Sequence, residues 1–428
     1  MNINTLALHS RELLSGTLLC LCSTALALDW RGNASTELTV FPEDSVGIDN
    51  WNVNASFAAE VELNHDLTDQ TRLIVHPFIR GDFRDNERTR AGLRELLIST
   101  AGDTWEINAG IKTVFWGVTE SHNPVDIINQ TDSIENLDGD EKIGQPMLNV
   151  NWFSDFGDFE AYLLPKFKER TFTGPEGRPF AGIAVDTSLT SFESSQGDDN
   201  IDLAFRWAYS FDSWDVGLHY FDGTSRNPTL TPIVSGTTPV LAPRYSLIRQ
   251  VGIDAQGLYG DLAVKAEVIH QTGDEIESHA EAVTGLEYTL VGLLSPLQEN
   301  EKIPLEWCDP DNRNLLKKLV CNDRMDLGLV LEYLWDQRND TSNQLFQNDL
   351  LAGFRFAFND AATSDALLGL IQDLDDGATT ISIEASTRLL ESYRLTLLAQ
   401  QFLNTDDDPI LGGFKNESFI QLDLSYFF

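Results

Sequence analysis

The sequence predicts an all-β fold: one closed, antiparallel transmembrane β-barrel of about 18 strands, in a range of roughly 16–18. Apolar and polar residues alternate with period two in segment after segment, the pattern of a strand with one greasy and one wet face. Short polar turns alternate with long polar segments, as on the two rims of a transmembrane barrel. Beyond the first 27 residues no stretch holds about 20 uninterrupted apolar residues, so a helical span is excluded. The nearest run, Leu286 to Leu294, is too short. A chain of this kind that crosses a bilayer must do so as a closed barrel, because only closure satisfies every backbone group.

Residues 1–27 read as a secretory signal peptide. Arg11 precedes an apolar stretch from Leu13 to Leu26, and Ala25-Leu26-Ala27 fits a small-x-small cleavage site. Cleavage there removes Cys20 and Cys22. The alternative is a buried N-terminal helix. Residues 28–428 are then expected to form a single barrel.

The strands follow in order. Trp51, Val53, Ala55, Phe57, Ala59, Val61 and Leu63 alternate with Asn52, Asn54, Ser56, Glu60 and Glu62. Trp105, Ile107, Ala109 and Ile111 alternate with Glu106, Asn108 and Lys112. The same pattern runs through Leu203 to Tyr209, Leu262 to Val268, Leu327 to Trp335, Phe354 to Phe358 and Ile381 to Ala385. It ends with Ile420, Leu422, Leu424, Tyr426 and Phe428 on one face against Gln421, Asp423 and Ser425 on the other. Short turns are expected at Thr68-Asp69-Gln70, Gly102-Asp103-Thr104, Phe156-Gly157-Asp158, Asp212-Ser213-Trp214 and Gly260-Asp261. Long loops are expected at 84–92, 117–144, 173–199, 222–243 and 406–416. Residues 291–324 are too polar for a strand and read as an insertion on the short-turn side, although a miscount by one strand moves it to the other rim. That insertion holds Cys308 and Cys321, a spacing that reads as one disulfide in an exported protein.

Charge narrows the function. The 428 residues carry a formal net charge of -38, which opposes nucleic-acid binding and docking on an anionic lipid surface. With 24 Phe, 9 Trp and 9 Tyr the chain has too much apolar material for a disordered acidic protein. If the greasy faces meet lipid, the opposite faces line a lumen. Arg80, Lys112, Lys166, Arg206, Lys265, Arg355, Arg388 and Arg394 then point inward, as do Glu60, Glu62, Glu106, Glu267, Glu332 and Glu384. These charges either select solutes or only pair across neighbouring strands. Segment 117–144 mixes Val125, Ile127 and Ile128 with Asp126, Asp132 and Glu135, and this composition suits a loop folded into the barrel. The acidic runs Asp138-Gly139-Asp140-Glu141, Asp373-Leu374-Asp375-Asp376 and Asp406-Asp407-Asp408 could hold divalent cations, or serve only solubility. No cofactor is otherwise implied. The sequence has no Gly-x-Ser-x-Gly and no His-Glu-x-x-His, and His122 and His279 have no visible partner, so an enzyme is not expected.

A chain that closes on an alternating strand with Tyr426 and Phe428 resembles the outer-membrane proteins of Gram-negative bacteria. In that superfamily the C-terminal aromatic strand is read by the barrel-insertion machinery. Gly110-Ile111-Lys112, Phe115-Trp116-Gly117 and Asn123-Pro124-Val125-Asp126 resemble a motif of porin-like and alginate-export-like large barrels. This chain departs from them in its acidity and its cysteine-containing insertion. The resemblance implies an outer-membrane location and contact with outer-membrane lipid and lipopolysaccharide. Together with the inward charges it implies passive passage of small hydrophilic solutes, anionic or sugar-acid ones among them. Trp116, Gly117, Asn123, Pro124 and Asp126 would then belong to a constriction loop. The alternatives are a receptor or envelope-assembly barrel with a plugged lumen, and a hydrolase at the rim. The oligomeric state is left open.

Overall fold

The computed structural model describes residues 28–45, 51–135, 139, 141–235, 238–292, 325–338 and 345–428. The expected signal segment and the Cys308–Cys321 pair lie outside the described residues.

Eighteen strands form one sheet. They are β1 (Leu28–Val40), β2 (Val53–Asp66), β3 (Thr71–Asp82), β4 (Arg90–Ala101), β5 (Trp105–Lys112) and β6 (Gln145–Ser154). Then follow β7 (Gly157–Leu164), β8 (Asp202–Phe211), β9 (Trp214–Thr224), β10 (Leu247–Tyr259), β11 (Leu262–Thr272) and β12 (His279–Leu290). The last six are β13 (Asp326–Asp336), β14 (Asn348–Ala357), β15 (Asp365–Asp373), β16 (Thr379–Leu389), β17 (Tyr393–Leu403) and β18 (Phe419–Phe427). Each pairs antiparallel with the next, and β18 returns to β1 from Asn33↔Phe427 to Val40↔Ile420. Phe428 completes the seam: its N–H donates to the Gly32 carbonyl at 3.0 Å and its own carbonyl accepts from Gly32 at 3.1 Å. No edge strand is left in this sheet, which is the condition for contact with hydrocarbon.

The outward faces are apolar. Leu329, Leu331, Tyr333 and Trp335 on β13 and Ile420, Leu422, Leu424 and Tyr426 on β18 are all exposed. Exposed aromatics gather at strand ends on one rim, with Trp30, Trp105, Trp152, Phe159, Tyr259, Tyr393 and Tyr426. A continuous exposed apolar surface with an aromatic girdle belongs in a bilayer, not in water. The rim carrying these aromatics has links such as 102–104, 155–156, 212–213 and 260–261. The three longest links with described strands inside them, 113–144, 165–201 and 225–246, all rise from the other rim. Val291-Gly292, which open the expected insertion, and Met325, which follows it, lie on the short-turn rim, while 293–324 lie outside the described residues.

Two local readings change, and one strand is irregular. Trp51 is not part of β2. It precedes the strand, and its indole N–H donates to the Glu176 carbonyl at 3.0 Å. Lys166 is not a mid-strand residue either. It lies beyond the end of β7 and pairs with Asp198 and Asp199 at 2.6 and 2.9 Å. Strand β4 carries a bulge: His76 pairs with Glu95 but Pro77 with Leu93, so Arg94 is an extra residue. A bulge breaks the alternation and re-aims side chains. Here Arg94 and Glu95 both turn inward between exposed Leu93 and Leu96.

The largest buried apolar cluster lies inside the barrel. Trp116, Val125, Ile127 and Ile128 of the segment after β5 pack on Met147, Leu164, Ala204, Phe221, Ile248 and Ile269 of the inner wall. The strand alternation is therefore not simply apolar-out and polar-in, since β6 to β11 also present apolar residues inward.

The seam yields a test. A Cβ on Gly32 would sit 2.5 Å from the Glu60 carbonyl oxygen and 2.9 Å from the Phe428 ring. Gly32→Val should weaken the folded barrel by about 1–3 kcal/mol through overpacking. A heat-denaturation midpoint measured in detergent should fall, and an unchanged midpoint would show that the seam tolerates the side chain.

Candidate functional site

The described residues of segment 113–144 fold back into the barrel, and the residues that open it explain how. Asn129 cinches its base: its side-chain oxygen accepts from Val114 N–H at 2.8 Å, and its amide nitrogen donates to the carbonyls of Lys112 and Ile143. Trp116 is buried, edge-on to Tyr162, beside His219, and under the Arg206 guanidinium at 5.2 Å. Gly117 has φ +147°, and a Cβ there would collide with the Asn123 side-chain amide, so only glycine fits the reversal. Asp126 accepts from Trp116 N–H at 3.2 Å and pairs with Lys142 at 2.9 Å. The Pro124 carbonyl accepts from Gln250 at 3.2 Å. The Trp116-Gly117 and Asn123-Pro124-Val125-Asp126 elements are thus the two plies of one fold-back.

Beyond Gly117 the loop meets the wall of β11 to β14. The N–H groups of Val118 and Thr119 donate to Glu267 Oε1 at 2.6 and 3.0 Å, and the Thr119 hydroxyl donates to the same oxygen at 2.8 Å. The N–H groups of Glu120 and Ser121 donate to the Glu332 carboxylate at 2.7 and 2.8 Å. Glu120 also pairs with Arg355. Buried carboxylates are costly unless hydrogen-bonded, and here the donors are backbone groups that would otherwise be unsatisfied inside the barrel. His122 approaches Glu281 at 3.8 Å and lies against the Phe346 ring, and His279 pairs with Glu281 at 3.0 Å. Both histidines that lacked a visible partner in the sequence therefore have one.

The far end of the loop meets the wall of β3 and β4. Glu135 pairs with Arg80 at 2.8 Å and with Arg90 at 2.7 Å. Asp132 pairs with Arg94 at 3.1 Å and also with Arg90. Arg88 bonds Glu37 at 2.6 Å and the Ile134 carbonyl at 2.9 Å. Burial raises the Glu135 carboxyl, but Arg80, Arg90 and Arg94 outweigh it and hold the group below its ordinary value. Burial holds Asp126 above the usual carboxylate range despite Lys142.

A second long loop, 165–201, lies over the mouth on the same rim. Arg178 pins it to the seam side of the barrel. The guanidinium pairs with Glu417 at 2.8 Å, donates to the carbonyls of Glu43, Trp51 and Asn416, and stacks 4.1 Å from the Phe41 ring centre.

The expected inward residues divide into groups. Arg80, Arg206, Lys265, Arg355 and Arg394 each pair with a carboxylate: Arg206 with Asp254 at 2.7 Å, Lys265 with Glu287 at 3.0 Å and Arg394 with Asp365 at 3.4 Å. Glu267 and Glu332 hold the loop. Glu106 bonds Asn108 at 2.6 Å. Lys112, Arg388 and Glu384 sit at inward register positions on β5 and β16. Glu60 and Glu62 are inward and meet His76 and Arg31. Two of the acidic runs converge, with Asp373, Asp376 and Asp408 offering oxygens within 4.8 Å of one another. Asp138 and Asp140 of the third run lie outside the described residues. Arg88, Arg90, Arg94 and Arg178 were not foreseen. The first three stand in or next to a stretch that reads as a polar loop, and at Arg94 the bulge interrupts the alternation that marks the other strands.

The fold and its surface define a transmembrane β-barrel with an in-folded loop. No family model matches the sequence, and no curated protein matches it. Among solved structures it is similar to a triple mutant of the Rhodopseudomonas blastica porin, with 14% identity, a TM-score of 0.41, and coverage of 94% of this chain and 100% of that one. It is also similar to a loop-deletion mutant of OmpT, an outer membrane protein of Vibrio cholerae, with 9% identity, a TM-score of 0.43, and coverage of 94% and 99%. The strand count and the closure stand on the register of this chain alone.

Two outcomes test the docking. Trp116→Ala removes the main apolar anchor and should cost about 3–5 kcal/mol locally, seen as faster hydrogen exchange across 114–128. The lowered Glu135 carboxyl contributes stability above its unfolded value, and that contribution is lost as pH falls through the folded value. Exchange across 130–135 should therefore stay slow at neutral pH and rise only below the ordinary carboxylate range. A rise already at neutral pH would count against the arginine latch.

Proposed function

We propose that the protein is an outer-membrane, porin-like channel through which small hydrophilic solutes pass passively, and that segment 113–144 is its constriction. The observation that carries this reading is the loop itself. It is held inside the barrel by an apolar anchor on β6 to β11, by two wall carboxylates on β11 and β13, and by arginines on β3 and β4. The wall it leaves uncovered on β16 to β18 carries small polar side chains, among them Ser382, Thr396, Gln400 and Gln421, all partly exposed. A polar wall facing a fixed loop is the arrangement of a permeation path. Nothing in this reading requires an enzyme.

An anionic or sugar-acid solute was suggested by the inward basic residues. That suggestion loses support, because Arg80, Arg206 and Lys265 are held in ion pairs and only 10–12% of each side chain is exposed. The second reading, a receptor or assembly barrel that does not conduct, is favoured by one feature, the cover of 165–201 over the mouth pinned by Arg178. In either reading the outer surface meets outer-membrane lipid, and the strand ending at Tyr426 and Phe428 is the segment an insertion machinery would engage.

Deletion of 120–140 separates the two. A constriction loop predicts a larger single-channel conductance in planar bilayers. An unchanged conductance would remove the loop from the path, and silence of the native chain would favour the receptor.

A further inference from the structure

The charges facing the lumen do not balance once the ion pairs are drawn. Of the basic residues expected inside, Lys112 and Arg388 alone have no carboxylate within 4.0 Å among the described residues. Several inward acids are in the opposite position, and three stand out. Glu106 on β5, Glu160 on β7 and Asp423 on β18 are partly exposed, and none has a Lys, Arg or His nitrogen within 4.0 Å among the described residues. Their hydrogen bonds go to neutral groups: Asn108 and Ser99 for Glu106, the Tyr162 hydroxyl for Glu160, and Ser425 for Asp423. Glu106 and Glu160 share one cross-strand row through Asn151. Asp423 faces the lumen from the seam, a different part of the wall.

The mouth adds to the same sign. Asp373, Asp376 and Asp408 converge there, and the whole chain carries -38. A passage with low-dielectric walls and charge of one sign concentrates the opposite ion, and rings of acids select cations. We propose that the channel prefers cations and cationic solutes, with Glu106, Glu160 and Asp423 as residues that set the preference. This rests on the channel reading above and supplies its solute class.

The test uses the purified full-length chain in planar bilayers under a KCl gradient. The reversal potential should have the sign for cations, with potassium more permeant than chloride by about threefold or more. The triple variant Glu106→Gln, Glu160→Gln and Asp423→Asn should bring that ratio toward one while conductance persists. Chloride preference in the native chain, or an unmoved ratio in the conducting variant, overturns the proposal. A measurement on the native chain alone guards against a variant that fails to fold: vesicles should swell faster in glucosamine hydrochloride than in sodium gluconate, and equal rates overturn the preference. Neither conductance nor swelling in the native chain would overturn the channel reading, and the preference with it.

Discussion

Closure of the sheet is the constraint on which everything else depends. Hydrocarbon offers no partner to an open strand edge, so β1 and β18 must meet over their length, and they do so from Asn33↔Phe427 to Val40↔Ile420. Gly32 lets the chain end pass close enough for the two backbone bonds to Phe428. The aromatic terminal residue therefore has a structural role at the seam. Its ring covers a glycine that would otherwise leave a gap at the wall.

Once the outside is given to lipid, the inside has to keep a long loop ordered without a domain of its own to pack on. The barrel solves this with two chemistries at different places. Over β6 to β11 the inner wall carries an apolar patch, and the hydrophobic effect seats Trp116, Val125, Ile127 and Ile128 there. Elsewhere apolar contact is replaced by charge: Glu267 and Glu332 receive loop N–H groups on one side, and Arg80, Arg90 and Arg94 receive loop carboxylates on the other. Glu267, Glu332, Arg80, Arg90 and Arg94 are each matched to a donor or acceptor from the loop, so undocking would leave these wall charges unsatisfied. This makes the segment a built part of the lumen, and it consumes much of the basic charge that would otherwise face a solute.

The strand pattern was legible because lipid imposes it. Alternation on the outer face is regular outside the bulge in β4, and it marks β2, β5, β8, β11, β13, β14, β16 and β18 directly. The inner face is less regular, since Met147, Phe221, Ile248 and Ile269 point inward to meet the loop. Sequence alternation cannot distinguish these from lipid-facing residues. The in-folding of 117–144 was readable from Val125, Ile127 and Ile128, which have no use in solvent. Its latch was not. Arg90 and Arg94 sit four residues apart near a loop, and only the bulge in β4, a property of the pairing with β3, turns Arg94 and Glu95 to the same side.

By itself the sequence determined the closed antiparallel barrel, a strand count of about 16–18, the rims with short and long links, and a loop with apolar residues to bury. Those follow from local period and loop length, which a single chain displays without reference to its partners. Tertiary structure alone decided which inward charges stay free. Arg206 meets Asp254 and Arg80 meets Glu135 across strand separations that no periodicity encodes. Whether a basic side chain faces a solute or a carboxylate depends on what the barrel's curvature and the returning loop place opposite it.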